Sequence, residues 1–148
     1  IYLGGITPEP VDIFGRPRPQ LTKVALGGEK SVPWEKFKNT AKLLEKLKKD
    51  GYKIFAVEQS RKSVPYNAKE ILRAAQNDKM IGLVVGNEVK GLPPAVLKKS
   101  DKILEIPMRG AMVRQAHHPR HIHLGKESLN VAVAFGIVVF RLIHPAHK

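Results

Sequence analysis

The sequence contains no cysteine, and none of its uncharged runs is long enough to cross a membrane. The absence of cysteine excludes disulfide bonds, cysteine-ligated zinc sites and thiol catalysis, and it fits a reducing cytoplasm. The longest uncharged run, Ser128–Phe140, has 13 residues, whereas a membrane-spanning helix needs about 20. The chain begins at Ile1 without an initiator methionine or a signal-peptide pattern. We therefore expect a soluble, cytoplasmic protein with no membrane contact, and we expect this chain to be a fragment.

Acidic residues are scarce relative to basic ones. The 148 residues include 26 Lys and Arg but only 13 Asp and Glu, which gives a net charge of +13 and a pI near 10.1. A two-to-one excess of basic residues favours a polyanionic partner over a neutral one. Nucleic acid is therefore the partner that the composition predicts.

Apolar segments alternate between strand-like and helix-like patterns along the chain. The predicted strands are Ile1–Leu3, Tyr52–Val57, Met80–Val85 and Lys102–Ile106. The predicted helices are Pro33–Asp50, Ala68–Ala75, Pro93–Lys99 and Ser128–Ile143. The proline-rich stretch 7–22 is predicted to be a loop. This alternation indicates an α/β fold with a parallel sheet and flanking helices, and the length suits one domain.

One segment, Ala111–Leu124, differs in composition from the rest of the chain and holds four of the six histidines. Imidazoles bind zinc or nickel, so these histidines suggest a metal site at first sight. The segment contains no carboxylate, and we predict no metal site there. We interpret it as a loop insertion, either a basic loop that faces RNA or an accidental insertion.

Two segments follow predicted strands at the edge where open parallel sheets bind their ligands. These are Gly86–Gly91 and Ile106–Gly110. The first approaches a phosphate-binding P-loop, but Leu92 and Pro93 stand where Lys and Ser or Thr are required. Taken alone, this segment therefore indicates only a tight turn. Glu58, which follows the strand before it, is interpreted as an ordinary surface carboxylate.

Three motifs in order carry a family resemblance. Leu83–Glu88, Ile106–Met108 and Ser128–Ala134 resemble the motifs of SpoU/TrmH-type RNA 2'-O-ribose methyltransferases of the SPOUT superfamily. The resemblance extends to Tyr2–Pro8 and Ala25–Glu29. It implies a single SPOUT domain over residues 1–148, with a C-terminal trefoil knot that general folding rules would not predict. It further implies a homodimer that uses S-adenosylmethionine to methylate tRNA or rRNA.

The resemblance also implies roles for particular residues. Backbone groups of Gly86 and Ile106 are expected to line the cofactor pocket, and Asn130 is expected to help fasten the knot. Glu88 is expected to orient the loop or the substrate ribose. The full set implied to bind the cofactor is Val85, Gly86, Ile106, Met108, Ser128 and Leu129. Glu88 and Asn130 are the candidates for a catalytic role.

The sequence departs from the family pattern at its start. The family assigns help in activating the ribose hydroxyl to an arginine in an Asn-x-Gly motif that lies upstream of the equivalent of Ile1. No such motif occurs here, so no catalytic base is assigned. We expect an N-terminally truncated methyltransferase domain; the alternative is a non-catalytic, basic RNA-binding module with the same fold.

Overall fold

The computed structural model describes residues 1–77, 80–87, 89–108 and 129–144. The chain divides into two compact units, Ile1–Leu47 and Lys48–Lys148. Each unit has its own sheet. The prediction of a single SPOUT domain over residues 1–148 stays a prediction.

The first unit is built around two short parallel strands. Its elements are β1 (Tyr2–Gly4), α1 (Pro19–Ala25), α2 (Gly28–Ser31), β2 (Glu35–Phe37) and the start of α3 (Thr40–Lys49). β1 pairs with β2 in the register Tyr2 to Glu35 and Gly4 to Phe37. Gly4 lies so close to the Thr40 side chain that a Cβ atom would overlap it, so this strand end requires glycine.

The predicted helix Pro33–Asp50 is wrong in its first third. Glu35 N–H donates to the Ile1 carbonyl at 2.9 Å, and Gly5 N–H donates to the Phe37 carbonyl at 2.8 Å. Residues 35–37 therefore form a strand. The helix begins at Thr40 because Asn39 caps it, with the Asn39 side-chain oxygen accepting from Lys42 N–H at 3.0 Å. The predicted loop 7–22 is also wrong at its end, because α1 begins at Pro19. Proline is suited to the first turn of a helix.

The second unit confirms the predicted parallel sheet. Its elements are β3 (Lys53–Val57), β4 (Val64–Pro65), α4 (Lys69–Asn77), β5 (Ile81–Val85), α5 (Pro94–Leu97), β6 (Lys102–Glu105) and α6 (Val131–Ile143). The strand order is β4-β6-β3-β5, and every pairing is parallel. Strands β3, β5 and β6 lie within two residues of their predicted bounds, whereas the two-residue β4 was not predicted.

The core of this unit joins the sheet to two helices. Phe55 of β3 and Leu104 of β6 pack with Ile71 of α4 and Val138 of α6, and all four side chains are buried. Burial of a side chain of this size stabilises the fold by about 1.5–3 kcal/mol. This cluster fixes α6 to the sheet and so positions the first turn of α6.

Asp101 fastens the amino ends of two strands. Its Oδ2 accepts from Ile54 N–H at 2.8 Å, and its Oδ1 accepts from Lys48 Nζ at 2.7 Å. Burial opposes ionisation, but the Ile54 hydrogen bond, the Lys48 hydrogen bond and the nearby charges of Lys48 and Lys53 outweigh it. The pKa of Asp101 is therefore held below its ordinary value.

Helix α6 is apolar on most sides, as predicted, but it buries only part of that surface. Val133, Phe135, Phe140 and Ile143 are exposed. No helix in the described residues is long and apolar enough to cross a membrane. The insertion 111–124, with its four histidines, lies outside the described residues, and so does most of the link between β6 and α6. The trefoil knot thus stays a prediction.

Candidate functional site

A cavity lies at the carboxyl ends of three neighbouring strands of the second unit. It is bounded by the segments that follow β3, β5 and β6 and by the first turn of α6. The lining residues are Val57, Glu58, Gln59, Val85, Gly86, Asn87, Gly91, Leu104, Glu105, Ile106, Met108, Leu129, Val131 and Ala134. This is the edge at which open parallel sheets bind ligands.

The structure brings together most of the residues that the resemblance implied for a cofactor. Val85, Gly86, Ile106, Met108 and Leu129 all line this one cavity. They come from three separate motifs, which the parallel sheet and α6 place side by side. Ser128 lies outside the described residues, and so does Glu88. Their roles stay predictions.

The loop after β5 is a tight turn held by an asparagine. The Asn87 side-chain oxygen accepts from Val89 N–H at 2.9 Å and from Lys90 N–H at 3.0 Å. The Asn87 carbonyl accepts from Gly91 N–H at 2.8 Å. A Cβ at Gly86 would lie 2.7 Å from the Gly91 carbonyl carbon, so the turn folds back onto Gly86. The backbone of this loop, held in place by the Asn87 hydrogen bonds, therefore forms one wall of the cavity.

Glu58 ties this turn to β3. Its Oε2 accepts from Leu92 N–H at 2.8 Å, its Oε1 accepts from Gln59 N–H at 3.0 Å, and its own N–H donates to the Leu104 carbonyl at 3.0 Å. Gly91, at φ +63°, lies where a Cβ would overlap the Glu58 carboxylate. One carboxylate thus connects the ends of β3 and of the loop that follows β5.

The interpretation of Glu58 as an ordinary surface carboxylate was wrong, because Glu58 lines the cavity and holds its wall. A sequence signal existed: Glu58 directly follows a buried strand, at the edge where the candidate motifs also lie. Its partner Leu92 is 34 residues away, and no local pattern reveals that pairing. Glu105 also lines the cavity, and its Oε2 accepts from Ser63 Oγ at 2.6 Å.

Asn130 begins α6. Its side-chain oxygen accepts from Ala132 N–H at 2.9 Å, and its carbonyl accepts from Ala134 N–H at 2.9 Å. This is the geometry of a helix N-cap. The cap orients the first turn, from which Val131 and Ala134 reach the cavity. The catalytic candidacy of Asn130 stays a prediction, and this contact gives the residue a structural role.

The charged side chains in the described lining of the cavity are opposite in sign to the net charge of the protein. Among the described residues that line it are two carboxylates, Glu58 and Glu105, and neither a lysine nor an arginine. The whole chain carries +13. The remaining described lining consists of aliphatic side chains, the amides of Gln59 and Asn87, the thioether of Met108 and backbone. Such a cavity suits a ligand with a flat apolar part and a positive charge.

Comparison with known proteins decides the family. The profile of the SpoU rRNA Methylase family matches residues 11–114, which is most of the chain. The chain belongs to the SpoU rRNA Methylase family. This confirms the resemblance drawn from the three motifs.

Curated relatives of this SpoU-family chain are RNA methyltransferases. The chain is 32% identical over 117 residues to a tRNA (guanosine(18)-2'-O)-methyltransferase of Aquifex aeolicus, covering 79% of this chain and 46% of the relative. It is 31% identical over 125 residues to an enzyme of the same name from Borreliella burgdorferi, covering 84% and 48%. The chain thus spans about half the length of these relatives.

Solved structures agree on the fold. The A. aeolicus TrmH/SpoU tRNA modifying enzyme matches with a TM-score of 0.64 and 28% identity, over 96% of this chain and 59% of that one. An AdoMet-bound rRNA methyltransferase from Sinorhizobium meliloti matches with a TM-score of 0.72 and 23% identity, over 99% and 46%. The likeness to these solved structures therefore covers nearly all of this chain.

Proposed function

We propose that this chain is the cofactor-binding part of an RNA methyltransferase that transfers a methyl group from S-adenosylmethionine to a ribose 2'-hydroxyl of tRNA or rRNA. The observation that carries the proposal is the cavity at the ends of β3, β5 and β6, because three family motifs meet in it. Family membership and the methyltransferase relatives support the same reaction.

The cavity fits this cofactor chemically. S-adenosylmethionine has a flat adenine and a positively charged sulfonium, and the described lining offers aliphatic walls and two carboxylates without a basic side chain. Val85, Gly86, Ile106, Met108 and Leu129 would hold it, together with Ser128 as the resemblance implies. When bound, the cofactor supplies an electrophilic methyl group. A basic lining would repel the sulfonium, so the local reversal of charge favours this ligand.

The chain's own residues would orient the reactants and limit the access of water. The apolar walls reduce hydration of the reacting centre, and the Glu58 contact fixes the loop wall. A ribose hydroxyl holds its proton too tightly to attack without help, so a proton-accepting group must assist. We assign no catalytic base. Glu88 and Asn130 remain the candidates for some other catalytic role within this chain.

RNA as the substrate, a homodimer and a cytoplasmic location complete the proposal. The net charge of +13 supports a polyanionic partner. The exposed apolar residues Val133, Phe135, Phe140 and Ile143 of α6 support a second copy as the partner of this helix. The absence of cysteine supports the location, because it fits a reducing cytoplasm.

Titration calorimetry with S-adenosylmethionine tests whether the cavity binds the proposed cofactor. Ala134 lines the cavity, whereas Ala132, two residues earlier on α6, is exposed. We expect Ala134→Phe to fill the cavity and abolish binding, and Ala132→Phe to bind as the wild type does. Thermal unfolding of both variants would show that each is folded. If the wild-type chain binds no cofactor, the cavity does not have this function.

Transfer of a labelled methyl group to RNA tests the activity itself. The assay uses bulk tRNA and rRNA as acceptors, and nuclease digestion locates the label on a 2'-O-methylnucleoside. Binding of cofactor and RNA without transfer, in the full-length protein as well as in this chain, would favour the non-catalytic RNA-binding module. Label on a base would refute the ribose assignment.

A further inference from the structure

A small hairpin in the first unit, residues Val11–Pro17, has a rigid backbone. Val11 and Pro17 form an antiparallel bridge. At the tip the Asp12 carboxylate accepts from Phe14 N–H at 2.8 Å and from Arg16 N–H at 2.9 Å. Asp12 N–H donates to the Arg16 carbonyl at 2.8 Å, and Gly15 supplies the φ of +74° that the turn requires. These hydrogen bonds define the backbone conformation of the tip.

Arg18 anchors the base of the hairpin. Its backbone N–H donates to the Pro10 carbonyl at 2.8 Å, and its Nε donates to the Val11 carbonyl at 3.0 Å. The entering and leaving chains are therefore held together below the bridge. A loop fixed at both tip and base loses little further entropy when it binds a partner.

The tip presents an aromatic ring to solvent. Phe14 is 72% exposed and Ile13 is 89% exposed. The Arg16 guanidinium lies 5.3 Å from the centre of the Phe14 ring, close enough for a cation–π contact. Because the ring adds nothing to the core and its backbone is held by hydrogen bonds, Phe14 is available to contact a partner.

The charge around the ring selects the partner. The Arg16 guanidinium lies beside Phe14 and Arg18 follows at the base of the hairpin, while the negative charge of Asp12 is engaged with backbone N–H groups. An apolar protein surface would have to desolvate these arginines, whereas a nucleotide offers a phosphate for an arginine and a base for the ring. Proteins bind unpaired RNA with this combination of aromatic and arginine side chains.

We infer that the Val11–Pro17 hairpin binds unpaired nucleotides of the RNA substrate, with a base stacked on Phe14 and a phosphate paired with Arg16. The inference rests on the proposed function for the existence of an RNA substrate. It adds a contact surface that lies outside the residues lining the cofactor cavity. The interaction reads an unstacked base, so it distinguishes single-stranded from fully paired RNA.

Fluorescence anisotropy with a labelled, mixed-sequence single-stranded 20-mer tests the inference, with the same sequence as a duplex for comparison. We expect Phe14→Ala to weaken single-strand binding about tenfold, the typical effect of losing one stacking partner. Duplex binding should change less than about twofold, since paired bases do not reach the ring. Phe14→Trp should restore single-strand binding. Arg16→Ala should reduce the slope of affinity against salt by about one ion.

Ile13→Ala is the matched control, because Ile13 is as exposed as its neighbour but has no ring. It should bind the single strand as the wild type does. Equal losses in Ile13→Ala and Phe14→Ala would overturn stacking and point to a nonspecific apolar contact. If the wild type binds RNA measurably and Phe14→Ala binds it with the same affinity, the hairpin inference alone is overturned. A wild-type chain that binds cofactor but no RNA would refute the proposed RNA substrate as well.

Discussion

Removal of the Glu58 carboxylate should loosen the wall of the cavity. In Glu58→Ala the Leu92 N–H loses its acceptor, and Leu92 is only 9% exposed, so water does not easily replace the carboxylate. An unsatisfied buried N–H costs about 1–3 kcal/mol. For a chain of this length, a loss of 2 kcal/mol lowers the melting temperature by about 4 to 8 °C.

Glu58→Gln separates the structural role of this residue from its charge. The amide keeps one oxygen that can accept from Leu92 N–H, so the stability loss should stay below about 1 kcal/mol. The cavity loses one of the two carboxylates in its described lining. Because the cavity contacts solvent, we expect the affinity for S-adenosylmethionine to fall only about twofold to fivefold.

Glu70→Ala is the control for removal of a carboxylate elsewhere. Glu70 pairs with Lys102 at 3.3 Å, and its side chain is 59% exposed. Exposed pairs of this kind contribute between about 0.2 and 1 kcal/mol. Urea unfolding and cofactor calorimetry on the three variants check the argument. If Glu58→Ala is no less stable than Glu70→Ala and binds the cofactor normally, Glu58 does not hold the wall.

Three further predictions concern other parts of the second unit. Gly86→Ala should lower the free energy of unfolding by about 1–3 kcal/mol, because its Cβ would overlap the Gly91 backbone. Gly136 lies in open space on α6, so Gly136→Ala should raise the free energy of unfolding, measured in urea, by up to about 1 kcal/mol. Asp101→Asn should cost about 1 kcal/mol at pH 7. Since the folded pKa of Asp101 lies below its ordinary 3.8, its contribution is complete above that value and is lost as pH falls through the folded pKa, so the difference in stability between the two proteins should shrink as the solution is acidified. Phe140→Asp should convert a dimer to a monomer in sedimentation, and an unchanged mass would refute α6 as the interface.

The parallel sheet was predictable because its strands are short apolar runs bounded by glycine or polar residues. Ile54, Phe55 and Ala56 of β3 are consecutive and all buried. A continuous apolar run therefore predicts this strand, although its residues do not alternate between apolar and polar. Strand β2 was not predictable in this way. Trp34, Phe37, Ala41 and Leu44 repeat at helical spacing, but the partner of β2 is β1, more than 30 residues earlier. A periodicity read within a window does not detect a pairing at that distance.

The candidate site was predictable where residues follow strands and not where distant groups meet. Val85, Gly86, Ile106 and Met108 follow β5 and β6 or end them, so parallel topology alone brings them to one edge. Their assignment to a cofactor came from the family motifs. The pairing of Glu58 with Leu92 depends on how the turn after β5 folds back, which no spacing in the sequence encodes.

The opposite charges of chain and cavity follow from the two ligands that the proposed reaction requires. A surface that attracts RNA must be basic, yet a basic cavity would fill with phosphate and repel a sulfonium. Glu58 and Glu105 lie at the strand ends within the cavity, while lysines dominate the outer face of helix α3. Since mobile ions screen exposed charges beyond about 10 Å, the carboxylates act on a ligand in the cavity and little on RNA outside it. Glu58 also holds the wall of the cavity, so its structural role and its charge both favour a cationic ligand bound there.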